Sequence, residues 1–331
     1  SDEYTPNSNH GYFQDEALIS LAIAFDQHPD RETWLEVGGE RVAQQIEYAV
    51  TPEGVHREHS PSYHSGMQLR FRRFADLIRD HDITLRLDIA EVVEHMWDFI
   101  QYGVLPTGRA PLVGDSSSWF GSAATPGITE TARYSLSKGT AGEAPADVDG
   151  IVADSGYAFF RDRWHPAETF EYTVYVGFVA AYFSRTHKHA DDLSVILHGY
   201  GESWLVDTGF WSYDKDDLYA DLANSPAGHN VVEIDHRSYL EDLPKQDPQE
   251  APALITDFEA AAGPTDSSTV AAEHRFNPGV LYRRELEYNR PGTLLVRDQL
   301  VGEDDETHDY VLYWHFASDK QVEELSPMRF R

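Results

Sequence analysis

Residues 185–235 read RTHKHADDLSVILHGYGESWLVDTGFWSYDKDDLYADLANSPAGHNVVEID, and this stretch decides the fold. Val195 and Leu197 alternate as on a strand, Gly199 to Glu202 supplies a turn, and Trp204-Leu-Val-Asp207 returns as the partner strand. Successive strand side chains point to opposite faces, so His187 and His189 are predicted to project together. One would be free for chemistry and one for a metal. His189, Asp207 and His229 offer two imidazole nitrogens and one carboxylate, a donor set that suits a divalent ion such as Zn²⁺ and leaves a fourth place for water. The spacings of 18 and 22 residues fit neighbouring strands and a loop, not a local finger. With 16 histidines in the chain, ligand type alone does not separate this triplet from ordinary hydrogen-bonded histidines.

Outward from this stretch, strand signals continue from Gly150 to the end. Tyr172, Val174, Val176 and Phe178 alternate, Leu286 to Asp298 carries an Arg-Pro-Gly turn at 290–292, and Tyr310 to Phe316 reads as a further strand. Residues 1–103 read instead as helices. Leu18, Leu21, Ala22 and Phe25 fit a helical stripe, as do Met67, Phe71, Phe74 and Ile78, and Ile89, Val92, Val93 and Met96. A further helix runs from Trp34 to Val50 and stops at Thr51-Pro-Glu-Gly54. From Gly103 to about Ala146 the chain is rich in Gly, Pro, Ser and Thr, with room for one short helix. Helices first and strands after predict an α+β multidomain protein with two separate layers. The expected division is 1–121 helical, 122–147 linking, and 148–331 an antiparallel β-sandwich.

The chain has 331 residues, no cysteine, and 57 acidic against 26 basic residues, a formal charge of −31; only five of the basic residues are lysines. Thiolate metal sites and disulfides are excluded. Such a surface repels nucleic acid and anionic membranes, and no apolar run is long enough to span a bilayer. A high-salt origin would screen the self-repulsion. The start at Ser1 without Met and the end at Arg331 after strand-like sequence point to a processed or excised piece, secreted or periplasmic.

Two motifs lie upstream. Asn7-Ser-Asn9-His10-Gly-Tyr-Phe-Gln14 stands near the start, and Glu58-His-Ser-Pro-Ser-Tyr63-His64 opens a helix, with Ser60 placed to cap it and Pro61 at its first position. In order with His-Lys-His-Ala-Asp-Asp-Leu-Ser, Leu-Val-Asp-Thr-Gly and Gly-His229-Asn-Val-Val, they resemble the heparinase II/III-like polysaccharide lyases, in their heparinase III branch, over nearly the whole chain. The resemblance implies an incomplete α/α toroid before the sandwich, since the family's toroid has more helices than 1–103 provides. It also implies one structural Zn²⁺ on His189, Asp207 and His229.

The activity implied is β-elimination on an anionic uronic-acid polysaccharide of heparan-sulfate or heparosan type. Removing the C5 proton beside a carboxylate needs a donor to neutralise that carboxylate, a base, and an acid for the leaving O4. The expected set is Asn9 with His10 for the carboxylate, Tyr63 and His187 for the protons, and Tyr219, or else Tyr213, assisting. Arg57, Glu58, His64 and Arg109 are expected to contact substrate. Alginate or another polyuronate is the alternative substrate. A metal-stabilised carbohydrate-binding protein without turnover is the alternative class.

Overall fold

The structure is a computed structural model and describes residues 4–214, 216–240, 243, 254–263, 265–327 and 329–330. Four helices come first: α1 (Asn9–Ala24), α2 (Arg31–Ala49), α3 (Pro61–Asp80) and α4 (Ile89–Gly103). Their starts are chemically marked. The Ser8 hydroxyl accepts from Gly11 N, Ser60 accepts from Tyr63 N ahead of Pro61, and Asp88 accepts from Ala90 and Glu91 N. Each such cap replaces water on an otherwise orphaned N–H and stabilises its helix by about 1 kcal/mol.

The predicted stripes on α3 and α4 face the core: Met67, Phe71, Phe74 and Ile78 are buried, as are Ile89, Val93 and Met96, while Val92 is half-buried at the edge. On α1 the expected stripe is rotated. Tyr12, Asp15, Ile19 and Ala22 face the core, while Leu21 and Phe25 are 46% and 55% exposed. The competing stripe contained Asp15, whose carboxylate is accommodated by Tyr4 and Arg41, so a polar residue disguised the buried face.

A short helix, α5 (Glu130–Leu136), lies within the span expected to be a linker and packs on α4. The strands β1 (Gly150–Val152), β2 (Tyr157–Arg161), β3 (Tyr175–Val179), β4 (Val195–Gly199) and β5 (Glu202–Leu205) form an antiparallel sheet in sequence order. After helix α6 (Leu218–Asn224), β6 (Val232–Ile234) precedes a second antiparallel sheet of β7 (Ile255–Glu259), β8 (Ser267–His274), β9 (Val280–Asn289) and β10 (Thr293–Gly302). Then β11 (Tyr310–Leu312) pairs with β6, and β12 (Glu324–Ser326) with β13 (Arg329–Phe330). The Tyr310 strand is shorter than expected, although the chain bridges back to β5 at Leu205 and Phe316. Tyr172, expected in a strand, ends a 3₁₀ turn instead.

Three layers result. Along β2 and β3, Tyr157, Phe159, Tyr175 and Val179 pack with Trp97, Phe99 and Ile100 of α4. The alternate residues Ala158, Phe160, Val176 and Phe178 pack with Val270, Leu286 and Tyr288 of the second sheet. The first sheet is therefore buried on both faces, the reason these strands carry an almost continuous apolar run.

Two buried arginines hold the layers in register. Arg161 donates to the carbonyls of Tyr102 and Val104 at the C-terminal end of α4, where the helix dipole favours a cation. Arg284 pairs with Asp298 and donates to the carbonyls of Leu193 and Asn230. Asn230 in turn bonds Val195 O, Val206 O and His315 N. That network fixes the strand ends around His229, so the backbone beneath the candidate site is set from the sheet side.

Candidate functional site

Four segments converge where the helices meet the first sheet: the start of α1, residues 56–63 leading into α3, the loop at 112–116, and the turn at 184–189. Gly114 permits the convergence. Its φ is +52°, and a Cβ there would lie 2.6 Å from His187 O and 2.7 Å from His59 O, so only glycine allows the three backbones to touch.

Asp115, next in the chain, is the hub. Its Oδ2 accepts from His187 Nδ1 at 2.7 Å and its Oδ1 from His189 Nε2 at 2.9 Å. Burial pushes this carboxyl up, but the two imidazole donors outweigh it and hold the group well below the usual carboxylate range. Behind it, Gly114 N donates to Asp191, and the buried Lys188 ammonium bonds both Asp191 and Asp192. The strand geometry expected for residues 187–189 is absent. They form a turn in which His187 has φ +54°, and the two imidazoles converge because both find the same carboxylate.

His187 is stacked on Tyr63, ring centroids 3.7 Å apart and planes at 22°. The Tyr63 hydroxyl lies 3.1 Å from that of Tyr213, which is 3.3 Å from His187 Nδ1. Of the two tyrosines considered as assistants, Tyr213 stands at this cluster, while the Tyr219 ring packs on Trp211 at 5.6 Å. Where Nδ1 donates to Asp115, a His187 ring carrying a single proton has its lone pair on Nε2, and Nε2 faces Glu58 at 3.7 Å.

Glu58 connects the halves of the site. Asn9 donates its side-chain amide to both Glu58 oxygens, at 3.1 and 2.9 Å. An internal carboxylate thus already sits on the amide proposed to receive a substrate carboxylate. Burial raises the Glu58 carboxyl, against the lowering influence of His187 and the Asn9 amide. An acid whose folded pKa is raised stabilises the fold least once it must ionise. Stability tied to Glu58 is therefore complete below its ordinary range and is lost as pH rises through the raised value. Glu58→Gln is accordingly expected to melt higher than the native chain at pH 7 and no higher at pH 4; equal melting curves at both pH values would contradict this.

The other expected residues separate clearly. Asn9, Arg57 and Glu58 line one cleft with Tyr48, Arg185 and Thr186, and Arg57 donates to the carbonyls of Glu47 and Tyr48. His10 is exposed at the edge of the site. His64, expected to contact substrate, is buried: it accepts from His56 N, bonds Met96 O, and is driven down to about 4 by burial. Its role is to pin the 56–58 segment to α4. Arg109 lines a different cavity, with Lys138, Glu171 and His198. Asp115 was visible in the sequence, but nothing around it marked it as the acceptor for two histidines seventy residues away.

The proposed metal ligands are close together and buried. The His189 and His229 rings lie 5.4 Å apart, and His229 Nδ1 lies 2.9–3.0 Å from both oxygens of Asp207. Burial pushes the His229 imidazole down, but Asp207 outweighs it and the pKa is raised. Among the described residues no three His, Asp or Glu side chains are arranged to hold a metal ion. The expected triplet is thus engaged differently here, Asp207 with His229 and His189 with Asp115. One feature still fits a metal: His189 Nδ1 and His229 Nε2 are both buried without a hydrogen-bond partner, two imidazole nitrogens of the kind a divalent ion takes.

Helices packed on a double antiparallel sheet, with amide, phenol and imidazole meeting at the junction, define an α+β protein whose site is built from both parts. The chain belongs to the heparinase II/III-like family: residues 1–134 match the Heparinase II/III N-terminus and residues 151–329 the Heparinase II/III-like C-terminal part. It is 21% identical over 257 residues to the heparin-sulfate lyase of Pedobacter heparinus, covering 72% of this chain and 38% of that protein. The crystal structure of heparan sulfate lyase HepC from Pedobacter heparinus superposes with a TM-score of 0.79 at 17% identity, over 97% of this chain and 50% of that one. A heparinase III crystal structure superposes with a TM-score of 0.76 at 17% identity, over 98% and 51%. These likenesses establish the helical-plus-antiparallel-sheet fold. The chain spans about half the length of these solved relatives.

Proposed function

We propose that this chain carries the elimination centre of a polysaccharide lyase acting on a uronic-acid glycosaminoglycan of heparan-sulfate or heparosan type. The observation that carries the reading is the convergence of Tyr63 and His187, stacked at 3.7 Å, with the Asn9 amide across Glu58. Asn9 would receive the uronate carboxylate in place of Glu58 and draw charge toward it as the C5–H bond breaks. A base takes the C5 proton, the C–H electron pair becomes the C4–C5 double bond, the C4–O4 bond breaks, and an acid returns a proton to O4.

The stacking bears on which uronate reacts. Rings with centroids 3.7 Å apart leave no space for a sugar between them, so phenol and imidazole address one face of a bound ring. In glucuronate H5 and O4 lie on the same side, and Tyr63 can serve as base and then acid there. Iduronate places them on opposite sides and would need His187 and Tyr63 to part. The arrangement therefore favours glucuronate. The test is an ultraviolet assay for the C4–C5 double bond over heparosan, heparan sulfate, heparin and alginate. New absorbance with heparosan and little with alginate is expected; reducing ends without absorbance would indicate hydrolysis and overturn the reading.

Zn²⁺ belongs to the same proposal as a structural ion, supported by the orphaned nitrogens of His189 and His229. When bound it would supply rigidity to the loops at 187–189 and 229–230; no proton passes through it. His229→Ala is expected to lose bound zinc and melt at a lower temperature. Breaking the buried His229–Asp207 pair would lower stability by about 3–5 kcal/mol with or without metal, so elemental analysis is the deciding measurement. Native protein without stoichiometric zinc, or a variant that keeps it, would remove the ion.

A further inference from the structure

Behind the reaction centre, residues 188–192 carry a group of charges closed off from solvent that the proton transfers do not use. The Lys188 ammonium bonds the Asp191 carboxylate and lies 3.3 Å from that of Asp192, and the three side chains are 1%, 1% and 0% exposed. Charges taken out of water persist where partners answer them. Tyr239 answers Asp192: its hydroxyl donates to Asp192 Oδ2 at 2.6 Å and accepts from Asp192 N at 3.2 Å. Asp191 has a different second partner. Its Oδ2 accepts from the backbone amide of Gly114 at 3.0 Å, 77 residues away in the chain.

That bond joins the same two segments that build the site. His187 stands four residues before Asp191, and next to Gly114 stands Asp115, whose Oδ2 receives His187 Nδ1. The turn thus grips the loop at two side-chain points, Asp191 on the Gly114 amide and His187 on the Asp115 carboxylate. A backbone bond, Asp115 N to His187 O at 3.1 Å, lies between them. A loop held at one point can pivot; held at both ends it cannot. A hydrogen bond to a carboxylate is roughly twice as strong as a neutral one, so Asp191 makes the firmer hold on the loop's backbone.

We infer that Asp191 is a positioning residue for the elimination centre: by holding the Gly114 amide it fixes Asp115, and through Asp115 the place of the His187 ring stacked on Tyr63. The inference rests on the lyase reading above and deepens it. Asp191 touches neither substrate nor reacting atoms. Lys188 is the counter-charge that keeps this carboxylate an acceptor in the interior, and Asp192 lies on the other side of the same ammonium, toward Tyr239.

Two isosteric variants separate this role from plain structural support. Asp191→Asn and Asp192→Asn each remove one buried carboxylate and leave Lys188 paired with the other, so both are expected to melt lower to a similar degree. Only Asp191→Asn reaches the loop. Its two oxygens serve Lys188 and Gly114 N separately, and an asparagine must turn its own N–H toward one of those donors. On heparosan kcat is expected to fall about tenfold to a hundredfold with KM within about threefold, as when reacting groups are displaced by about 1 Å. Asp192→Asn is expected to stay within about threefold of native in both constants.

A second readout needs no substrate. Imidazole N–H groups bonded to a carboxylate give proton resonances far downfield, and the native chain is expected to show two, from His187 and His189 on Asp115. Asp191→Asn should shift or broaden the His187 signal, and Asp192→Asn should preserve it. Should Asp191→Asn fail to fold, hydrogen exchange of the native Gly114 amide decides: a protected amide supports the clasp, and exchange at the rate of an open loop overturns it. Equal losses of kcat in the two variants overturn it as well, as do native kcat and resonances in Asp191→Asn. If the native chain eliminates no uronate polymer, the lyase reading fails, while the resonances and the Gly114 exchange rate still decide the clasp.

Discussion

Tyr63→Phe is expected to abolish elimination while leaving the fold intact. The ring, its stacking on His187 and the Ser60 cap of α3 all survive the loss of one oxygen, so melting temperature and circular dichroism should be close to native. What disappears is the only hydroxyl on the imidazole-stacked ring, the group assigned to O4 and, for glucuronate, to C5 as well. Removing a general acid or base lowers turnover by about a hundredfold to ten-thousandfold. Because one hydroxyl is assigned both proton transfers, the upper end is expected, in kcat more than in KM. Ultraviolet progress curves on heparosan decide it, and native-like turnover would take Tyr63 out of the mechanism.

The second large effect is expected at a residue with no marked motif. Asp115→Asn keeps size and shape but exchanges one acceptor oxygen for a donor. Asp115 now accepts from two imidazole N–H groups; an asparagine can accept from one and must donate to the other. Facing His187 Nδ1, the amide N–H would force the proton onto Nε2 and remove the lone pair aimed at the site. Facing His189, it would leave His187 ordered but disturb the nitrogen pair behind it. An equivalent tautomer reversal in a His–Asp dyad elsewhere costs about ten-thousandfold. Because Tyr63 alone can serve glucuronate, the expected loss is about tenfold to a hundredfold on heparosan and larger on iduronate-containing polymer. Asp115→Ala should lose still more and also melt lower. Equal, mild losses on both polymers would show that Asp115 only supports the fold.

Much of the architecture was legible because local chemistry and tertiary environment agree. The Met67–Phe71–Phe74–Ile78 stripe is buried as its periodicity requires, Ser60-Pro61 caps α3, and the turn at 290–292 joins β9 and β10. Where they disagree the sequence misleads. Asp15 hid the buried face of α1 since its desolvation is met by Tyr4 and Arg41 from outside the helix. His64 stands in a motif beside Tyr63 yet points into the core to reach Met96 O, one helical step turning a neighbour of the site into a packing residue.

The order of the motifs, through their resemblance to the family, was enough to single out Asn9, Tyr63 and His187 as candidates and to give the two-part plan, and the structure brings those three side chains together around Glu58. Tertiary structure alone decided that Asp115 organises both histidines, that Glu58 occupies the Asn9 amide, and that Tyr213 rather than Tyr219 reaches the phenol. Those are pairings between segments up to 150 residues apart, set by how Gly114 lets three loops close on one another. No local pattern encodes a hydrogen bond whose partner is placed by the packing of two sheets and four helices.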